Sequence, residues 1–274
     1  MKKIKSVLLI SVVLALMIIS FSGCSGSMSY VYDNASKYSA GDRDITDKIE
    51  NIEIDYLTGT VTIVGGASDT ISIKETSDKK LEEKQKVHTY VDDDTLYVKF
   101  CASSNRINFD SIEKDLVIYI PDNIKLEDVS VSATAADFSS GGIVVEDMEV
   151  NTASGDVSVD SPCEKLTINV VSGSVDVNTH DVEKMSVNVV SGSSKFVFSD
   201  IPEKAEVGTV SGNVDIYIPE KSNVTIDANT KSGDVDCSID SEKKGSKYII
   251  GDGDNKIDLE TISGDINIKR IGEE

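Results

Sequence analysis

Leu-Thr-Ile-Asn-Val-Val-Ser-Gly-Ser-Val-Asp-Val-Asn, residues 166–178, decides how the whole chain is read, because versions of it keep returning. Residues 185–196 read Met-Ser-Val-Asn-Val-Val-Ser-Gly-Ser-Ser-Lys-Phe. The stretch 205–216 ends Val-Ser-Gly-Asn-Val-Asp-Ile, and 257–268 ends Ile-Ser-Gly-Asp-Ile-Asn-Ile. The shared glycines fall at 155, 173, 192, 212, 233 and 264, in steps of 18, 19, 20, 21 and 31 residues. Such a period means one structural unit per turn of chain, the last carrying an insertion.

Aligned on the glycine, the units sort their side chains with a period of two, as half-buried strands do. Leu166, Ile168 and Val170 precede it, as do Met185, Val187 and Val189, Ala205, Val207 and Thr209, and Ile257, Leu259 and Thr261. After it stand Val157 and Val159, Val175 and Val177, Val214 and Ile216, Val235 and Cys237, and Ile266 and Ile268. These positions point inward. The interleaved outward positions are polar, with Thr167, Asn151, Asn169, Asn188 and Asn229 before the corner and Asp176, Asp215 and Asp236 after it. Upstream, Ile52, Ile54, Tyr56, Gly59, Val61 and Ile63 fit the same template, as do Val129, Val131 and Phe138 with Ala136 in place of glycine. Prolines 121, 162, 202 and 219 fall where strands stop.

A two-strand unit of about 19 residues cannot bury its apolar face alone, whereas stacked units bury a continuous core and pair their backbone groups. The pattern predicts an all-β fold: a parallel β-solenoid, right-handed because parallel crossovers overwhelmingly take that hand. The competing arrangement is an antiparallel meander in which each Ser-Gly is a hairpin turn. A meander does not require like positions to recur, and a solenoid does.

The chain begins with Lys2, Lys3 and Lys5, an apolar run at 7–19 and then Phe-Ser-Gly-Cys at 21–24. This is a secretory signal, and it resembles a bacterial lipoprotein signal. The resemblance implies removal of 1–23 and lipidation of Cys24 with a palmitate-type acyl chain. An uncleaved transmembrane helix is the weaker reading, since the run is shorter than the roughly 20 residues a span needs. Residues 24–48, rich in Ser, Gly, Asn and Asp, read as a lipidated cysteine and flexible tether, and 49–272 as the repeat domain. Between early units, 70–109 reads as an inserted hairpin about the turn 92–94, with 78–86 a solvated connection.

The chain has 27 basic and 48 acidic residues, a formal net charge of −21. Loss of the three signal lysines makes the mature charge −24, by 24 minus 48. That excludes nucleic acid and anionic headgroups as charge-driven partners. Cys101, Cys163 and Cys237 remain, an odd number, and Cys237 holds an inward position where a small hydrophobe is expected. His88 and His180, distant in sequence, read as incidental surface residues and support neither a zinc site nor a triad.

The Val-Ser-Gly-(Asp/Ser/Asn)-Val-Asp-Val units, the Tyr-Ile-Pro strand ends and the lipoprotein start resemble the putative-adhesin β-strand-repeat family, a domain of unknown function in bacterial surface proteins. The resemblance covers 49–268. It implies a surface-exposed β-solenoid acting in adhesion or envelope stress, and it carries no catalytic residues.

Three function classes follow. The first is a non-enzymatic lipoprotein on the extracytoplasmic face of the cell membrane, held by its lipid and binding an envelope protein or glycan, with no cofactor. The second is a calcium module, because Asp156, Asp234 and Asp265 follow corner glycines and Gly-Asp-Gly-Asp-Asn spans 251–255. That loop misses the calcium spacing, with Lys256 where position five and Ile257 where position six of such a loop would fall. The third, a polysaccharide-active enzyme, rests on fold analogy alone. Asp215 and Asp236, in successive units, are expected to lie side by side on the outer face.

Overall fold

The computed structural model describes residues 28–107 and 112–273. The signal segment and Cys24 lie outside the described residues. Among the described residues nearly all regular structure is strand, with two 3-10 turns, Ala35–Lys37 and Glu83–Gln85.

Successive repeats lie on one another in parallel register. Cys163–Ser172 pairs with Val144–Ser154 on one side and Lys184–Ser191 on the other, and Val175–Thr179 pairs with Val157–Asp160 and Ser194–Phe198. Like positions meet: Ile168 stands between Val150 and Val187. Each layer is a strand, a Ser-Gly corner and a second strand, as the solenoid reading requires; the antiparallel meander is not what forms. The inward set is buried, with Leu166, Ile168, Val170, Val187, Val189, Ile216, Leu259 and Ile266 all at 0% exposure. Each such side chain contributes about 1.5–3 kcal/mol.

The corner needs glycine for two reasons. Gly173 has φ 147°, a conformation L side chains rarely adopt, and a Cβ there would lie 2.1 Å from the carbonyl oxygen of Gly155 in the layer below. Its N–H meanwhile donates to the carbonyl of Ser191 in the layer above, at 3.0 Å. The layers stack so closely that the corner backbone occupies the space a side chain would fill.

Stack order departs from chain order at both ends. After Val214–Ile218 the chain skips a place: Val224–Ser232 and Val235–Cys237 form the terminal layer, capped along Val224–Ser232 by the antiparallel strand Lys247–Ile250. Asn255–Ser263 and Ile266–Arg270 then enter between that layer and Lys204–Ile218, parallel to both. Asp215 and Asp236 are therefore not neighbours. Asn267 lies between them in register and donates from Nδ2 to Asp215 Oδ1 at 2.7 Å. Position in the terminal layer also leaves Val235 and Cys237 only half-buried.

At the other end the hairpin His88–Asp92/Thr95–Lys99 forms as read. Its second strand, with Lys114–Pro121, supplies a full layer against Asn51–Gly66. Beyond it run Ile71–Ser77 and His88–Asp92 in the opposite direction, then Arg43–Ile45 and Ser39–Ala40. The tether reading of 24–48 fails from residue 28 onward. Met28–Tyr30 pairs with Ser104–Ile107, and Tyr30 and Ile45 are buried in the core. Burial of those two apolar side chains favours order over a free linker. His88 is also buried rather than on the surface, its Nδ1 2.9 Å from the carbonyl of Lys86.

Candidate binding surfaces

The corner carboxylates belong to the fold. Asp137 Oδ1 accepts the N–H of Asp156 at 2.8 Å, and Asp156 Oδ1 accepts that of Ser174 at 2.7 Å. Asn213 Oδ1 accepts from Asp265 at 2.9 Å, and Asp265 Oδ1 from Asp234 at 2.9 Å. Each short acceptor thus satisfies a backbone donor of the next layer, which explains Asp or Asn after glycine without a metal ion. Sequence spacing alone could not separate these roles.

Outward amides also form a ladder. Asn169 Nδ2 donates to Asn151 Oδ1 at 2.8 Å, and Asn188 Nδ2 to Asn169 Oδ1 at 2.9 Å. Chained side-chain bonds fix these groups at the layer spacing. Asn169 is consequently buried, although its column faces outward. A second ladder is acidic, with Glu206, Asp258 and Asp227 in register across three adjacent layers. Burial, then Asp227 and Glu206, push the Asp258 carboxyl above the usual range.

Two features of the N-terminal layers are not apparent in the sequence. One is a buried ion pair: Lys114 Nζ lies 2.7 Å from Glu75 Oε1, with the side chains 0% and 3% exposed. The ammonium also donates to the carbonyl of Gln85 at 2.8 Å and to that of Phe100, and sits 4.0 Å from the Phe100 ring centroid. Burial pushes it below the ordinary lysine range, opposed by Glu75. The signal was present, since Lys114 heads the inward series Leu116, Ile118, Ile120.

The other is a strip of tyrosines. Ring centroids of Tyr30 and Tyr32 are 5.5 Å apart, Tyr32 and Tyr38 4.8 Å, Tyr38 and Tyr90 5.4 Å, and Tyr90 and Tyr97 6.2 Å. Tyr30 is buried, bonding through its hydroxyl to Asp55 O at 3.0 Å, and the other four are half-buried. Burial pushes the Tyr32 and Tyr38 hydroxyls up to about 12. Lys37 lies over the Tyr90 ring at 5.1 Å and Lys99 over Tyr32 at 5.9 Å. Three separate segments contribute, so no window of sequence displays the strip.

Grooves at this end are lined by groups such as Asp42, Lys80 and Lys86, or Asp78, Glu113 and Asp115. That lining differs from the predominantly apolar walls of small-molecule sites. Cys101 and Cys163 are buried free thiols, and burial pushes Cys101 up to about 11 and Cys163 to about 12. His180 is exposed beside Asp181.

Among solved structures, the chain is similar to a "putative cell adhesion protein" from Clostridium sporogenes, at 14% identity and TM-score 0.39, over 85% of this chain and 100% of that one. A "putative adhesin" from Bacteroides fragilis gives 12% and 0.37, over 84% and 95%. A "putative lipid binding protein" from Parabacteroides distasonis gives 18% and 0.44, over 84% and 96%. No curated protein matches the chain. Residues 49–269 match the family described as Toastrack DUF4097, and the chain belongs to that family.

Proposed function

We propose that this chain is a non-enzymatic lipoprotein of the bacterial surface, anchored through Cys24, whose solenoid holds rigid polar ladders towards an envelope protein or glycan. One observation carries the reading. The corner carboxylates of Asp137, Asp156 and Asp265 are taken up by backbone donors and Lys114 by three acceptors, while a fixed column of amides faces outward. Repetitive surfaces of this kind suit extended partners.

Metabolic labelling with a palmitate analogue tests the anchor. The wild type should take up label and Cys24→Ala should not; equal labelling of both places the lipid elsewhere. For the ladder, envelope fractions are passed over immobilised mature protein. Capture should be lost when Asn151, Asn169 and Asn188 are all replaced by Ser, and unchanged capture by that variant would refute the role of this face.

A calcium-binding reading would have to rest on the column Glu206, Asp258 and Asp227, yet among the described residues no three carboxylate, imidazole or thiol groups gather closely enough to hold a metal ion.

A further inference from the structure

We propose that the tyrosine strip is the surface on which the protein rests against the bilayer holding its own anchor, with the rings at headgroup depth. This deepens the lipoprotein reading and rests on it. Cys24 stands four residues before Met28. Four residues extend at most about 14 Å, and Met28 is already fixed by pairing with Ile107. Tyr30 ties the same strand inward, accepting the N–H of Phe100 at 3.1 Å and donating to Asp55 O. Without a longer tether, a lipidated Cys24 brings this end of the solenoid to the membrane surface. What it presents there is the strip.

The chemistry fits an interface between water and hydrocarbon. Tyrosine has an apolar ring and a polar tip, and it concentrates where one end is dry and the other wet. Five of the nine tyrosines of the chain lie in this strip, and the chain has no tryptophan. In the layers beyond, the places in register with Tyr97 are held by Glu53, Ser130, Glu149, Thr167 and Ser186, so the run of adjoining rings does not continue along the stack. Val31, between Tyr30 and Tyr32, is 64% exposed, an apolar side chain with water as its neighbour. Lys37 extends over the Tyr90 ring, placing an ammonium group where a lipid phosphate would sit, as a snorkelling lysine does, whereas Lys99 over Tyr32 is turned inward and paired with Asp55 at 3.5 Å. Glu53 and Asp55 flank the strip, in register with Tyr97 and Lys99. Together with the acidic surface they oppose anionic lipid, so the docking belongs to aromatic burial and should survive in zwitterionic vesicles.

The experiment uses mature lipidated protein in phosphatidylcholine vesicles whose acyl chains carry bromine near the headgroup, a short-range quencher. Because the chain lacks tryptophan, Tyr97→Trp, Tyr38→Trp and, as a distant control, Tyr217→Trp each give one reporter. Emission at positions 97 and 38 should fall at least two-fold relative to unbrominated vesicles, with position 217 unchanged. Equal emission at all three overturns the proposal. In that case, protection of the rings by added cell-wall oligosaccharide would identify a glycan surface instead. Should Cys24 prove not to be lipidated, the mature chain is held by an N-terminal hexahistidine on nickel-chelating vesicles and the measurement repeated. Quenching there supports the strip with the anchor reading gone, and its absence removes the strip as well.

Discussion

Gly212 donates its backbone N–H to the carbonyl of Ser263 at 2.9 Å, and Gly264 donates in turn to Ser232 at 3.0 Å. The last repeat in the chain is therefore the filling between two repeats made before it. Until Asn255–Ser263 and Ile266–Arg270 arrive, Lys204–Ile218 and Val224–Cys237 each present an open edge.

A chain ending at residue 254 should consequently lose more than its last layer. Val224–Ser232 has its parallel partner in Asn255–Ser263 alone, keeping otherwise only the antiparallel strand Lys247–Ile250. Two-stranded ribbons are marginal in water. Amide exchange at Ile226 and Ala228 should become as fast as in an unfolded peptide, while Ile168 and Val187 stay protected. Persistent protection at Ile226 in the truncated chain would contradict the inserted order.

The buried pair Lys114 and Glu75 should behave asymmetrically. Lys114→Met leaves a carboxylate 3% exposed without its cation and frees the carbonyls of Gln85 and Phe100. Breaking one side of such a pair costs about 3–5 kcal/mol. Replacing both, as Lys114→Met with Glu75→Leu, removes the stranded charge and should recover part of that loss. Recovery is incomplete because Val87 N–H loses its acceptor, Glu75 Oε2 at 2.9 Å. Urea unfolding of the two single variants and the double variant measures the coupling, and strictly additive losses would mean that the two side chains do not interact.

The interior of the stack was legible because strand alternation and the corner glycine are local signals repeated many times. Leu166, Ile168 and Val170 could be placed inward from 166–178 alone. The order of the layers was not legible, since units 224–237 and 255–268 carry the same signature and either could follow 204–216. What settles the order is the crossover and the hairpin Glu242–Lys244/Lys247–Ile250, whose consequences are long-range. The first layers escaped for a related reason: Tyr32, Tyr38, Tyr90 and Tyr97 meet only after strands of opposite direction are laid side by side. Polar composition at 24–48 suggested a tether, yet a few anchors such as Tyr30 and Ile45 suffice to order a short segment.

Asp258 offers a test of electrostatic strain on the outer face. It stands in register between Glu206 and Asp227, and its carboxyl titrates above the usual range because of burial and those two neighbours. Lys204 offsets part of this through Glu206, at 2.6 Å, and Asp227 accepts from Ser246 at 2.6 Å and Asn229 at 2.8 Å. Like charges facing across strands cost a few tenths to about 1 kcal/mol. The folded protein holds the Asp258 proton more tightly than the unfolded chain does. The strain is therefore present in full above the folded pKa and is relieved as pH falls through it. Asp258→Asn should accordingly be more stable than the wild type at pH 7, with the advantage fading as the medium is acidified through the carboxylate range. Sodium chloride should narrow the same gap gradually by screening. A bound divalent cation predicts the reverse, because a ligand that binds only the native state raises its stability saturably. Thermal melts across pH, salt and calcium decide between them. Calcium should add nothing beyond its ionic strength, and a saturable rise in Tm at low calcium that Asp258→Asn abolishes would establish a cation site on this ladder.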